Sequence, residues 1–220
     1  MNKVRLMLLF LYLFLCLMKV SNAAKILIIE SYHADFLWDI EYKKGIVDNV
    51  SGKHDFSYFQ LDTKRLPENE HANRVELAWK KYLTESPDIV VLGDDNALKY
   101  LGTRLKNTAT PVVYLGINNN PRNYGLYSAS NITGVLERPL LKRSIIYISK
   151  LFTKVNKVLV LFDASTTSDA AVDIEFKTSN VLKLGNISVE IDQVSQYSLW
   201  QKKVKTALKN DVDYIIVGTY

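Results

Sequence analysis

Short apolar runs alternate with longer amphipathic segments along the chain from residue 25 onward. Runs such as KILIIE at 25–30 and DIVVLG at 88–93 are rich in β-branched residues and lack polar alternation, which is typical of strands covered on both faces. The predicted strands span residues 25–30, 56–62, 88–93, 111–118, 131–135, 157–163, 187–192 and 213–220. Repeated strand–helix order predicts an α/β fold built on parallel sheets with right-handed crossovers.

The segments between the runs carry apolar residues at three- and four-residue spacing, which predicts amphipathic helices. The first helix is expected to bury Phe36, Ile40, Val47 and Val50. After the strand at 157–163, a helix is expected from about Ser168 to Leu184.

The elements fall into two successive rounds, which predicts two doubly wound parallel-sheet lobes. The boundary is expected near residue 136, giving an N-terminal lobe over 24–136 and a partial C-terminal lobe over 137–220. The second round has only three predicted strands, and its last one has no helix after it. An uncovered strand leaves a sheet edge or face exposed, so we expect the second lobe to be truncated and the chain to be a fragment of a longer protein.

The N-terminal residues 1–23 have the layout of a secretory signal peptide. Lys3 and Arg5 precede an apolar run from Leu6 to Met18, and small residues follow at 21–23. The run is shorter than the roughly 20 residues that a membrane-spanning helix needs, although an uncleaved anchor remains an alternative. The mature protein is therefore expected to be periplasmic or otherwise extracytoplasmic, and to meet a membrane only through the signal peptide or a partner.

Net charge gives no support for nucleic-acid binding. The formal net charge is +5 over 220 residues, and loss of Lys3, Arg5 and Lys19 with the signal peptide lowers it by three, to +2. Nucleic-acid-binding domains are usually much more basic. The single cysteine, Cys16, lies in the same removed segment, and a mature chain without cysteine suits an oxidising compartment.

Candidate ligand-binding residues follow the predicted strands, because open α/β sheets bind ligands outside the carboxyl ends of their strands. In the first round these residues are Ser31, Tyr32, His33, Trp38, Asp94, Asp95, Asn96, Asn118 and Asn119. In the second round they are Asp163, Ser165, Thr166, Thr167, Tyr197, Thr219 and Tyr220. Polar and aromatic groups thus gather at the same end of both sheets.

Each group also has a purely structural interpretation. One of the residues Asp94–Asn96 is expected to cap the following helix, since Asp and Asn side chains accept bonds from free N–H groups in the first turn. The run Asn118–Asn120 is typical of a turn, because Asn tolerates left-handed backbone angles. Tyr32 and Trp38 are equally typical of core residues. A second acid beside Asp94 is not needed for capping, and its presence favours a ligand cation or hydroxyl as its partner.

Signatures of enzymes and metal sites are absent from the sequence. It has no GxSxG, no phosphate-binding glycine loop and no HExxH. The histidines at 33, 54 and 71 lie in separate segments, without a second ligand at metal-binding spacing. We therefore expect a binder that is not an enzyme, with no catalytic residues, no metal and no cofactor.

Four segments resemble the substrate-binding proteins of ABC transporters, in particular the group that includes tryptophan- and tyrosine-binding proteins. The segments are SYHADFLWDIEYKKGI, PDIVVLGDDNALKYLG, PVVYLGINNN and NITGVLERPLLKRSIIYISKLF, and the resemblance covers about Lys25 to Tyr220. It implies the type I periplasmic-binding-protein fold, in which two hinged lobes close on a small solute. The loops at 31–33, 94–96 and 118–119 would then form one half of the cleft. The loops at 163–167, 195–197 and 218–220 would form the other.

The resemblance implies capture of a small molecule, amino-acid-like or a sugar, for uptake by an ABC transporter, with a permease as a possible partner. An alternative function is open, because the same module occurs as the extracytoplasmic input domain of sensor kinases and diguanylate cyclases. The resemblance also implies further strands and hinge crossings of the second lobe, which this sequence lacks.

Overall fold

The structure, a computed structural model, describes residues 23–152, 154–177 and 179–218. The strands are β1 Lys25–Glu30, β2 Asp55–Gln60, β3 Ile89–Gly93, β4 Val112–Ile117, β5 Ile132–Leu136, β6 Lys157–Asp163, β7 Val181–Leu184, β8 Ile187–Val194 and β9 Tyr214–Val217. The helices are α1 Leu37–Asn49, α2 Glu68–Glu85, α3 Asp94–Leu105, α4 Leu141–Leu151, α5 Thr166–Phe176 and α6 Tyr197–Ala207, with a 3-10 helix at Pro121–Tyr124. Residues 1–22 of the predicted signal peptide, and the candidates Thr219 and Tyr220, lie outside the described residues.

The first sheet has the strand order β2-β1-β3-β4-β5 and is parallel throughout. Alternate residues of β1 enter different cores, because successive side chains of a strand point to opposite faces. Leu27 and Ile29 pack with residues of α2 and α3, whereas Ile26 and Ile28 pack with residues of α1. Helices therefore cover both faces, as the continuous apolar runs predicted.

The predicted buried face of α1 is wrong. Ile40 and Val47 are 41% and 44% exposed, and the side chains that pack on the sheet are Tyr42 and Ile46. Trp38 lies one turn before Tyr42 and packs edge-on against it, with 4.8 Å between the ring centroids. The face of α1 that packs on the sheet is thus largely aromatic, and several aliphatic side chains of the helix are exposed to solvent.

The second sheet has the order β7-β8-β6-β9. Helices α4 and α5 contribute to the core on one face, and α6 packs on the other. The expectation of a helix to Leu184 is wrong here, and the sheet is parallel except at its edge strand β7. Helix α5 ends at Phe176 with Lys177 in the left-handed conformation, and 181–184 form β7, which pairs antiparallel with β8. Gly185, at φ +59°, begins the two-residue turn between them.

The two sheets form separate cores, and the chain passes from β5 to β6 through α4. We call β1–β5 with α1–α3 the first lobe and the elements from α4 onward the second lobe; the boundary at residue 136 stays a prediction. No described helix is long and apolar enough to cross a membrane.

Candidate functional site

The carboxyl ends of the two sheets face each other and touch. The hydroxyl of Tyr32, after β1, lies 3.0 Å from Oγ1 of Thr167 at the start of α5. That Oγ1 donates a 3.1 Å hydrogen bond to Oδ1 of Asp94, after β3. Beside these hydrogen bonds, Nζ of Lys64 lies 3.6 Å from a carboxylate oxygen of Asp163, which ends β6. Contacts between the lobes are therefore polar and are made by the loops that follow the strands.

A cavity of about 270 Å³ lies between the lobes at this point. Asp94 and Glu137 bring two acids to its wall, and Lys64 brings a cation. The other lining residues are mostly aromatic or apolar: Tyr32, Phe36, Trp38, Asn118, Pro139, Leu141, Phe162, Thr167, Ala171 and Gly218. Such a mixture of apolar walls and a few convergent polar groups is characteristic of small-molecule sites.

Asp94 combines burial with an unusual backbone conformation. Its φ is +72°, in the left-handed region that Asp enters more readily than most residues. Burial, followed by the charge of neighbouring Asp95, raises the pKa of Asp94 to about 7. Its Oδ1 also accepts a bond from the Asp95 amide. A buried acid in a strained conformation on a cavity wall is a common mark of a functional position.

Asp95 does not line the cavity and instead holds the loop after β4. Its two oxygens accept bonds from the backbone amides of Asn118 and Asn119, at 2.9 and 3.1 Å, and from the Tyr124 hydroxyl at 2.8 Å. The carboxylate is fully buried. These three protein donors give Asp95 a supporting role, and its contact with a ligand stays a prediction.

Ser31, from the loop after β1, also caps α3. Its hydroxyl donates to the carbonyl of Gly93 at 2.7 Å and accepts from the amide of Ala97 at 2.9 Å. The residue at the N-cap position, Gly93, has no side chain for this role. Asp94 contributes as predicted, since its Oδ1 accepts from the first-turn amide of Asp95, and Ser31, being fully buried, does not line the cavity.

A wider polar groove of about 620 Å³ lies on the other side of Lys64. Four further predicted residues line this groove, namely Asn96, Asp163, Ser165 and Thr166. Asp163 bonds to the loop that follows it, since one of its oxygens accepts bonds from the hydroxyls of Ser165 and Ser168. Asn96 donates to the Thr63 hydroxyl at 2.9 Å.

The other predicted residues lie apart from the cavity. His33 is half-buried and packs edge-on against Phe36. Asn119 supports the turn after β4 by accepting bonds from the amide of Asn120 and the side chain of Asn123. Tyr197 is 59% exposed and stacks on Trp200. The cavity thus takes Tyr32, Trp38, Asp94, Asn118 and Thr167 from the predicted set.

Sequence reasoning missed Lys64 and Glu137, the two charged residues that join Asp94 on the cavity wall. Both follow strands, β2 and β5, and the rule about strand ends applies to these strands as it does to β1, β3 and β4. Phe36 and Phe162 were missed for a different reason, because an apolar residue at a strand end is indistinguishable from a core residue in sequence.

Trp38 is held in place by a glycine on β4. A Cβ at Gly116 would lie 2.3 Å from the Trp38 ring, and Gly116 has φ +70°. The indole therefore packs directly on backbone, which a larger residue would prevent. This packing fixes one aromatic wall of the cavity.

Comparison with solved structures agrees with the topology. An ABC domain in complex with L-Trp from Streptococcus pneumonia superposes with a TM-score of 0.63 at 19% identity, over 90% of this chain and 65% of that one. A ligand-free, open substrate-binding protein with adhesive properties from Clostridium difficile gives 0.55 at 13% identity, over 89% and 65%. This chain has the type I periplasmic-binding-protein fold. An extracellular ligand-binding receptor from Verminephrobacter eiseniae also matches, at 0.55 and 11% identity, over 90% and 57%.

At these identities the likeness shows the fold alone. The chain spans less than two thirds of the length of these solved proteins. No protein-family model matches the sequence, and no curated protein matches it. The neighbours are binding proteins rather than enzymes, and among the described residues of this chain no three His, Cys, Asp or Glu side chains are grouped to hold a metal ion.

Proposed function

We propose that the protein is an extracytoplasmic solute-binding protein that captures a small amino-acid-like molecule between its lobes for uptake by an ABC transporter. The observation that carries the proposal is the 270 Å³ cavity, where two acids, one lysine and several aromatic rings meet across the line of contact between the sheets. The proposed partners are the solute and a transporter permease.

The cavity suits a small ligand. Its volume is about nine times the ~30 Å³ share of one water molecule in the liquid. It lies just below the range of about 300 to 1,000 Å³ that is usual for drug-sized ligands. A single amino acid is of a size to fill this space, whereas a longer peptide or oligosaccharide is not.

The charges and rings favour a zwitterion with an apolar side chain. Asp94 and Glu137 are suited to an ammonium group, and Lys64 to a carboxylate. Lys64 is already drawn toward ring faces, with Nζ 4.9 Å from the Tyr32 centroid and 5.2 Å from that of Phe36. Trp38 and Phe162 offer apolar surface for a side chain. A sugar would use the acids and the rings but leave Lys64 without a ligand partner.

Closure of the lobes would complete the site. Tyr32 and Asp94 belong to the first lobe and Thr167 to the second, so their hydrogen bonds exist only when the lobes meet. A ligand that contacts both sides favours the closed state by its differential affinity for that state. In the sensory alternative the protein captures its ligand in the same way. A signalling domain, rather than a transporter permease, then responds to the closed state.

The test is isothermal calorimetry on the full-length protein with panels of common amino acids and monosaccharides. We expect an amino acid to bind best, and Asp94→Asn to weaken that binding about tenfold or more, which corresponds to about 1.4 kcal/mol. Glu70→Gln is the matched control, because Glu70 is exposed on α2 and outside the cavity. Unchanged affinity in Asp94→Asn would contradict the assignment of the acid, and tight binding of a sugar alone would contradict the ligand class.

A further inference from the structure

Asp39, in the first turn of α1, is an acid that the cavity lining does not include and that the fold leaves without a hydrogen bond. Its side chain is fully buried, and among the described residues neither carboxylate oxygen has a hydrogen-bond partner. The backbone amide of Tyr32 and the hydroxyl of Tyr42 approach it without reaching hydrogen-bonding geometry. A buried carboxylate normally accepts several bonds, so this orphan requires an explanation.

The charges that face Asp39 add to its isolation. Glu30, which ends β1, and Asp94, which begins α3, both repel a negative charge on Asp39, and Lys43 on the next turn of α1 attracts it. Lys43 is already paired with Glu30, with 2.6 Å between Nζ and Oε2. The hydroxyls of Tyr32 and Tyr42 stay neutral, because burial and the nearby acids raise the pKa of both. Three buried carboxyls thus lie together, and the lysine that attracts Asp39 is already paired with Glu30.

Protonation of Asp39 removes its repulsion with the other two carboxyls. It is favourable because an ionised carboxylate without a partner is far more costly to bury than a neutral acid. Burial, then Glu30, then Asp94 raise the pKa of Asp39 to about 8. Asp94 lies on the cavity wall and shares this field, so the state of Asp39 depends on the charge that occupies the cavity.

We propose that Asp39 holds a proton in the ligand-free protein and releases it when an ammonium group enters the cavity beside Asp94. This inference rests on the proposed function and names the regulation of that site. The O–H bond of Asp39 breaks, its proton passes to the buffer, and the incoming cation restores the positive charge that the three carboxyls need. Asp39 is a positioning residue, because it acts on the ligand through Asp94.

The exchange discriminates between ligand classes. An amine supplies the charge that replaces the proton, whereas a sugar or a carboxylic acid without an amine leaves the proton where it is. The cavity is thereby tuned to ligands with an ammonium group, and their binding is expected to tighten as pH rises toward 8, because less work is then needed to remove the proton.

The first test needs no ligand and measures thermal unfolding against pH. The folded-state pKa of Asp39 lies above its unfolded value, so the folded state binds more protons between the two. Stability from this group is greatest near pH 4 and is lost as pH rises to about 8. We expect the unfolding temperature of Asp39→Asn to fall less than that of the wild type from about pH 5 to 9, by roughly 5 °C or more. Glu41→Gln, an exposed acid on the same helix, is expected to follow the wild type.

The second test measures proton release by calorimetry in phosphate and in Tris, whose ionisation enthalpies differ. The probes are L-tryptophan, tryptamine and indole-3-propionate, followed by the other common amino acids. Near pH 7.5 we expect binding of an amine to release protons, mainly from Asp39, whose pKa lies above the pH of the solution. Asp39→Asn is expected to release clearly fewer protons per bound amine than the wild type, and indole-3-propionate none.

The outcomes separate this inference from the proposed function. Amine binding with the same enthalpy in both buffers would overturn the release step while leaving ligand capture intact. Parallel unfolding profiles for wild type and Asp39→Asn would overturn the proton on Asp39 whatever binds. A lack of binding by every amine would contradict the proposed function and the release step together.

Discussion

The two sides of the cleft are built from different chemistry. The first lobe presents buried acids and amides whose positions are fixed by backbone donors, as in the bonds from Asn118 and Asn119 to Asp95. The second lobe presents hydroxyls at the start of α5, of which Thr167 and Ser168 are buried. Asp163, the acid of this lobe that faces Lys64, is half-buried and accepts bonds from hydroxyls that can rotate.

The difference indicates a prearranged half and an adaptable half. Charged groups that are buried before a ligand arrives need hydrogen-bond partners in fixed positions. If these groups moved, buried donors and acceptors would lose their partners. Hydroxyls can donate or accept and turn to meet either water or an acid. The first lobe therefore carries the electrostatics of the site, and the second lobe closes over it. The following predictions test this contrast.

The largest expected effect is on the free energy of unfolding, when the acid that holds the loops of each lobe is removed: Asp95 in the first lobe and Asp163 in the second. Asp95→Ala leaves the buried amide of Asn118, the half-buried amide of Asn119 and the Tyr124 hydroxyl without their acceptor. We expect it to lower the free energy of unfolding by about 3 to 5 kcal/mol. Asp163→Ala is expected to lower it by only about 1 to 2 kcal/mol, since the Ser165 and Ser168 hydroxyls can turn to other acceptors.

Urea unfolding of both variants beside the wild type measures these losses. Asp88→Ala serves as the control for loss of an acid, because Asp88 is exposed and accepts from the amide of Lys25. Equal losses for Asp95→Ala and Asp163→Ala would show that the two halves are equally rigid and would remove the contrast.

Two glycines compare the crowding of the lobes at similar backbone conformations. Gly116 has φ +70° and its added Cβ would meet Trp38 at 2.3 Å, whereas Gly185 has φ +59° and open space around it. We expect Gly116→Ala to destabilise by about 2 to 4 kcal/mol, from the left-handed conformation and overpacking together. Gly185→Ala bears only the conformational cost, about 1 kcal/mol. Chemical denaturation measures both, and Trp38 fluorescence should shift in Gly116→Ala alone.

Some of these features could be predicted from the sequence and others could not, for physical reasons. Strand positions were predictable because buried parallel strands need continuous apolar runs, and a strand's end then defines which residues face the cleft. That logic led to Tyr32, Asp94 and Thr167, which the structure brings into contact. It applies equally to Lys64 and Glu137, so those two were accessible to the same reasoning.

Other features depended on tertiary contacts that no local pattern reports. The packing of α1 through Trp38 and Tyr42 depends on Gly116 and Gly93, which leave room for the two aromatic rings. Capping of α3 by Ser31 joins residues 66 positions apart. The β7–β8 hairpin did have a local signal, the Gly185–Asn186 pair, which is a recognised two-residue turn. The helix predicted to Leu184 stops just short of that signal but includes the residues of β7.

A smaller effect is expected where the lobes meet. Thr167→Val removes the hydroxyl that links Tyr32 and Asp94 and keeps the shape of the side chain. We expect about a tenfold loss of affinity for the best ligand, near 1.4 kcal/mol, with unfolding changed by no more than about 1.5 kcal/mol. Thr166→Val, on the neighbouring groove, is the control. If the two variants bind equally well, the hydroxyl link contributes nothing to closure.

The smallest expected effect is that of Lys64→Met. The Lys64–Asp163 pair crosses between the lobes at 3.6 Å, with both side chains partly exposed. Such pairs contribute no more than about 1 kcal/mol, and Met retains the apolar stem that packs near Tyr32 and Phe36. We therefore expect stability to change by less than about 1 kcal/mol. The salt dependence of ligand binding is expected to weaken between about 50 and 500 mM NaCl, because exposed charges are screened over this range.

Lys44→Met, which breaks an exposed pair within α1, should leave that dependence intact. If Lys64→Met and Lys44→Met respond alike to salt, Lys64 acts as a surface charge, and the electrostatics of capture come from the buried acids of the first lobe alone.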